Sequence, residues 1–114
     1  MSETPEAIVQ RQVDAYNAHD LDAFMATYQS DAAYIRHPSG EVVMAGRADI
    51  RQAFGDLFAA HPRVHVDITN RMVLGRLVVD AERITGRADV AELRLIAIYE
   101  VQNNLIHRVW PLRG

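Results

Sequence analysis

Apolar residues recur along the first half of the chain at helical spacing and along the second half at strand spacing. Thr4 can cap a helix that opens with Pro5 and Glu6, a start favoured by proline's fixed φ and by the helix dipole. Val9, Val13 and Tyr16 follow at i, i+4 and i+7, so one apolar stripe is predicted, ending near Asn17-Ala18-His19. Asp20 can cap a second helix in which Leu21, Phe24, Met25 and Tyr28 share a face. Ala32 to His37 reads as a short strand, Pro38-Ser39-Gly40 as a turn, and Val42 to Ala45 as the return strand. After Gly46 a third helix carries Ile50, Phe54, Leu57 and Phe58. It should end at His61-Pro62, because the residue before proline is pushed out of the helical region.

From Val64 the period changes to two. Val64, Val66 and Ile68 alternate with His65, Asp67 and Thr69, and Leu74-Gly75-Arg76 makes a tight connection into the strand 77–85. Gly86 to Asp89 turns, Val90 to Val101 is a long strand, and Gln102-Asn103-Asn104 suits a hairpin because Asn tolerates the left-handed region. Leu105 to Leu112 closes the pattern. Helices followed by consecutive strands predict an α+β fold, with three N-terminal helices packed in a mostly antiparallel sheet. Ile96 and Ile98 face one side of their strand, and Leu93, Leu95 and Ala97 the other. One face can pack on the helices. The second predicts a homodimer formed through the sheet.

The strand 77–85 carries the chemistry that stands out. Asp80 and Glu82 are two residues apart and so share a face with Val78 and Ile84. Charge on an apolar face is costly unless it is paired, hydrated or used. Two carboxylates that close in a poorly hydrated space would raise each other's pKa, leaving one able to act as an acid. Alternatively Arg71 or Arg108 neutralises them as an ion-pair cluster.

Composition narrows the classes. The 114 residues are 49% hydrophobic and 24% charged, the balance of one globular domain spanning 1–114. The net charge of −3 is mild and the basic residues are scattered, so no nucleic-acid partner is expected. There are no cysteines, which removes disulfides, thiol nucleophiles and zinc-thiolate sites. The start, Met1-Ser2-Glu3-Thr4-Pro5-Glu6, lacks a signal peptide's basic and apolar stretches, and no apolar run is long enough to span a bilayer. No membrane association and a cytoplasmic location are therefore expected. Neither metal-ligand spacing nor a phosphate loop is present, so no metal or cofactor is expected.

Ala15-Tyr16-Asn17-Ala18-His19-Asp20-Leu21-Asp22-Ala23-Phe24 is similar to the helix-break-helix opening of SnoaL-like and ketosteroid-isomerase-like proteins of the nuclear transport factor 2-like superfamily. Tyr28-Gln29-Ser30-Asp31-Ala32 resembles that group's entry to the first strand, His37-Pro38-Ser39-Gly40 stands at its turn, and Gly46-Arg47-Ala48-Asp49-Ile50-Arg51 resembles its third helix. The resemblance implies a strongly curved sheet wrapped around three helices, a cystatin-like cone with an internal pocket. It also implies that Val78, Asp80, Glu82 and Ile84 face the cavity, joined by Tyr99, Arg108 and Trp110.

The isomerase's own catalytic set does not carry over. His37 stands where its aspartate would be, Gln12 where its oxyanion-stabilising tyrosine would be, and Ala97 near its second donor, so a true ketosteroid isomerase is not expected. The reading that results is a small-molecule pocket protein. It would be an isomerase, cyclase or dehydratase working by proton transfer on a hydrophobic or semi-polar metabolite, without a cofactor. His37 would be base or acid, an imidazole being suited to proton transfer near neutral pH. Asp80 or Glu82 would orient it, and Tyr16, Tyr99, Arg108 and Trp110 would contact substrate. The alternative is a ligand-binding or interaction module of the same fold without turnover.

Overall fold

A computed structural model describes residues 3–113. Met1 and Ser2, part of the acidic start read above, lie outside the described residues. Three helices, α1 (Pro5–Asn17), α2 (Leu21–Met25) and α3 (Gly46–Ala60), lie within a six-stranded sheet. Its strands are β1 (Tyr28–Ile35), β2 (Val42–Ala45), β3 (His65–Leu74), β4 (Leu77–Thr85), β5 (Glu92–Gln102) and β6 (Leu105–Arg113). The fold is α+β, as the pattern predicts.

The capping residues do what their chemistry suggests. Thr4 Oγ1 accepts from the Ala7 N–H at 3.1 Å, and Asp20 Oδ1 from the Ala23 N–H at 3.1 Å. α1 buries Ile8, Val9, Val13 and Tyr16, together with one polar residue, Gln12. Tyr16, Phe24, Phe54 and Phe58 pack as one aromatic cluster that locks the three helices together, with ring centroids 4.6–6.3 Å apart.

The strand order is β2-β1-β6-β5-β4-β3. β1 pairs with β6 in parallel, while the other neighbours are antiparallel, so the curved, unclosed sheet is mixed. Asn103 and Asn104 both take the left-handed conformation in the β5–β6 hairpin, with φ of 53° and 64°.

Two differences from the sequence pattern bear on the site. β1 begins at Tyr28 rather than at Ala32. Tyr28 pairs with Ile106, and its hydroxyl is held by Gln12 and Tyr34 inside the core, so it is a strand residue and not the last of a helical face. The second difference is a bulge in β6. Val101 pairs with Ile106 but Glu100 with Arg108, leaving His107 as the extra residue. Ile106 faces inward before the bulge and Val109 after it, both buried. The inside-outside parity of β6 therefore switches at His107.

Candidate active site

Inside the cone, between α1, α3 and the inner face of β4, β5 and β6, lies a cavity of about 250 Å³. The register orders its walls. Val78, Tyr99 and Val109 form one row across the three strands; Asp80, Ala97 and Pro111 form the next; then come Glu82, Leu95 and Arg113. Tyr99 and Val109 are buried and Leu93 and Leu95 are only half-buried, so the cavity closes at the tyrosine end and opens toward Ile84 and Leu93.

At the closed end sits a set of phenols. Tyr28 and Tyr34 hydroxyls are 2.6 Å apart, and the Gln12 side-chain amide donates to Tyr28 at 3.0 Å. Tyr34 projects into the cavity. Burial pushes the Tyr28, Tyr34 and Tyr99 phenols well above their ordinary range, and Tyr16 is pushed up to about 12, also by burial first and by Glu82 second. All four remain protonated at any ordinary pH.

Glu82 is the acidic group of the cavity. Tyr99 donates to its Oε2 at 3.1 Å. Burial among apolar walls raises its pKa to about 7, the Tyr99 hydrogen bond opposing that rise and the nearby Asp80 charge adding to it. Asp80 shares the inward face but not the fate. Its fully buried carboxylate accepts two hydrogen bonds from Arg71, Nε to Oδ1 at 2.6 Å and Nη2 to Oδ2 at 2.9 Å. Arg71 lies directly across from it on β3 and also donates to Gln10 on α1 at 2.8 Å.

The predicted site residues thus divide. Tyr16, Tyr99 and Glu82 meet in the cavity. Asp80 lies beside it, engaged by Arg71 and not by Arg108. Arg108 and Trp110 do not face inward. The bulge at His107 turns Arg108 outward, where it is exposed opposite Glu100, and pairs Trp110 with Ile98 on the outer face. Val109, Pro111 and Arg113 take the inward positions. His37 is exposed in the β1–β2 turn and does not line the cavity. β1 has left the sheet after Ile35, so Tyr34 is its last inward-pointing residue.

The structure adds Gln12, Tyr34, Arg87 and Arg113 to the site. Gln12 was signalled by its place on the α1 stripe, four residues after Ile8 and four before Tyr16. Tyr34 was signalled by strand parity with Ala32. Nothing local marks the two arginines. Among the described residues no three His, Asp or Glu side chains gather in a way that could hold a metal ion.

The model of the SnoaL-like domain matches residues 9–109. The chain belongs to the SnoaL-like domain family. No curated protein matches its sequence significantly. Among solved structures, it is similar to a cystatin-fold protein from Novosphingobium aromaticivorans, with a TM-score of 0.89 and 24% identity over 98% of this chain and 100% of the other. A protein with a ketosteroid isomerase-like fold from Catenulispora acidiphila, solved with trimethylamine, gives 0.79 and 22% over 98% and 88%. A protein proposed to be a polyketide cyclase, from Sinorhizobium meliloti, gives 0.79 and 20% over 92% and 93%. At these identities the likeness concerns the fold. No helix is long and apolar enough to cross a membrane among the described residues.

Proposed function

We propose that this SnoaL-like protein is a cofactor-independent proton-transfer enzyme, an isomerase, cyclase or dehydratase, in which Glu82 is the acid or base. The observation that supports it most is the state of Glu82, a buried carboxyl that titrates near neutrality and is held by a single hydrogen bond from Tyr99. A carboxylate so placed can take a proton from carbon next to a carbonyl, and as the acid it can protonate a departing hydroxyl. Tyr34 and Tyr16 line the same cavity as protonated phenols and can donate to an oxygen that gains negative charge. Tyr99 acts through Glu82 as a positioning residue. His37, exposed in its turn, has no part in this mechanism.

The test is deuterium uptake from D2O into a set of cyclic ketones, followed by NMR. The wild-type protein should accelerate exchange at one or more of them, with a rate that rises through pH about 7 as Glu82 ionises. Glu82→Gln should lower that rate on the order of 10²-fold or more. If the wild type is no faster than Glu82→Gln on any ketone, proton abstraction by Glu82 is wrong and the binding module without turnover is the better reading.

We further propose that the functional unit is a homodimer formed through the outer face of the sheet. Met72, Val79, Ile96, Ile98, Trp110 and Leu112 make an apolar band there, with Met72 63% and Ile96 44% exposed. Charged residues flank it at both ends, Asp67, Arg83 and Arg94 at one and Glu100 and Arg108 at the other, the arrangement of an interface core with a polar rim. Ile96→Asp should convert a dimer to a monomer in light scattering. A variant that stays dimeric overturns the interface.

A further inference from the structure

Two arginines, Arg87 and Arg113, stand on the lining of the cavity, although the chain as a whole has a net charge of −3. Arg113 lies in the third row of its wall, two strands across from Glu82 with Leu95 between them, and its side chain is exposed. Strands are spaced about 4.8 Å apart, so the two Cα atoms are about 10 Å apart.

Arg87 is held in place by its surroundings in a way unusual for a turn arginine. Gly86, at φ +80°, brings the turn so close to the α3–β3 connection that a Cβ there would lie 1.9 Å from the Arg63 carbonyl oxygen. In the same turn the Ala88 N–H donates to His61 Nδ1 at 3.0 Å. Asp89 then accepts from Arg87 Nε at 2.8 Å and Nη2 at 2.7 Å. Two of the five guanidinium hydrogens are used, and three remain to face a ligand. The charge of Arg87 also reaches Tyr16 in the cavity, opposing the rise of its pKa. The wall behind the arginines is apolar, made of Phe54, Leu57, Ile84, Leu93 and Leu95.

We propose that the ligand of this cavity is an amphipathic carboxylic acid whose anionic head binds Arg87 and Arg113 while its apolar body lies along Phe54 and Leu95 toward Glu82. This rests on the small-molecule reading of the cavity and adds the chemical class and the direction of binding. Head-first entry is opposed because an ionised Glu82 would repel an anion in a medium where charges interact strongly. Tail-first entry leaves the carboxylate half in water, paired with Arg113 and with the guanidinium hydrogens of Arg87 that Asp89 does not take, and covers the apolar wall. A cavity of about 250 Å³ lies below the ~300–1,000 Å³ of pockets for drug-sized ligands, so the body is one ring or a short chain.

The probes are 4-phenylbutyrate and 4-phenylbutan-1-ol, which share a skeleton and differ in the head, measured by calorimetry on the full-length protein. The acid should bind at least tenfold more tightly than the alcohol. Arg113→Gln should cut that preference to about twofold, whereas Arg113→Lys, keeping the charge, should retain several-fold; circular dichroism checks that both fold. Equal binding of acid and alcohol, or an unchanged preference in Arg113→Gln, overturns the proposal and leaves the Glu82 chemistry standing. Failure of both probes to bind overturns it together with the small-molecule reading. Loss of deuterium exchange in Glu82→Gln with the preference intact supports both.

Discussion

Asp80 and Glu82 are separated by one residue, point to the same face of the same strand, and meet opposite environments. The Asp80 end of the cone is filled: α1 closes over it, Arg71 reaches across from β3, and both carboxylate oxygens are satisfied. The Glu82 end is open: the cavity lies in front of it, Leu95 is its cross-strand neighbour, and one phenol donates to it. A carboxylate matched by a guanidinium fork is a structural element, because its charge is satisfied before any ligand arrives. A carboxylate facing apolar walls is held near the point of gaining or losing a proton. Identical backbone geometry thus yields a brace at one position and an acid-base group at the next, and the neighbours decide which.

The largest expected effect comes from breaking the brace. Arg71→Met leaves the Asp80 carboxylate fully buried and uncompensated and should cost about 3–5 kcal/mol in urea unfolding. Asp80→Asn should cost less, since the Arg71 side chain is 14% exposed and can turn toward water. Equal costs would mean that the two ends of the pair are equally well hydrated, contrary to the geometry.

Glu82→Gln should act in the opposite sense. The folded protein holds the Glu82 proton up to pH about 7, whereas the unfolded chain releases it near the ordinary 4.5. The folded state binds more protons between those values, so this group lowers stability as pH rises through that window, and its cost is complete above pH 7. The separation corresponds to about 3 kcal/mol. Glu82→Gln should therefore be more stable than wild type at pH 8 and near equal at pH 4, read from urea midpoints at the two pH values. An advantage that does not grow with pH would mean that Glu82 is better hydrated than the cavity walls imply.

Tyr99→Phe should have a smaller effect. It removes the hydrogen bond that favours the ionised Glu82, worth about 1 kcal/mol, so the pH at which deuterium exchange reaches half its maximum should move upward. A merely structural Tyr99 would lower stability and leave that profile where it was.

Much of the fold was legible because local rules agreed with one another. The Thr4 and Asp20 caps, the helical stripe through Val9, Val13 and Tyr16, the period of two in β3 and the Asn103-Asn104 turn each rest on neighbours within a few residues. The candidate site was legible only in part. The resemblance set Tyr99 and Glu82 toward the cavity, and both line it, because alternation holds where β4 and β5 run in unbroken register. It set Arg108 and Trp110 there too, and they face outward, because alternation fails at a bulge and nothing in Leu105-Ile106-His107-Arg108 announces one. His37 was placed by its position beside a proline turn, yet how far a strand carries its last residues into a cavity depends on where its pairing ends.

The sequence by itself determined the order of helices and strands, the face shared by Asp80 and Glu82, and the apolar character of both faces of β5. These follow from periodicity, which is a property of the backbone. Only the tertiary structure decided that Arg71 belongs to Asp80, that Glu82 is left to the cavity, and that Arg87 and Arg113 stand on its lining. Those pairings join residues from different strands and turns, and which of them meet depends on register, bulges and helix packing that no local pattern encodes.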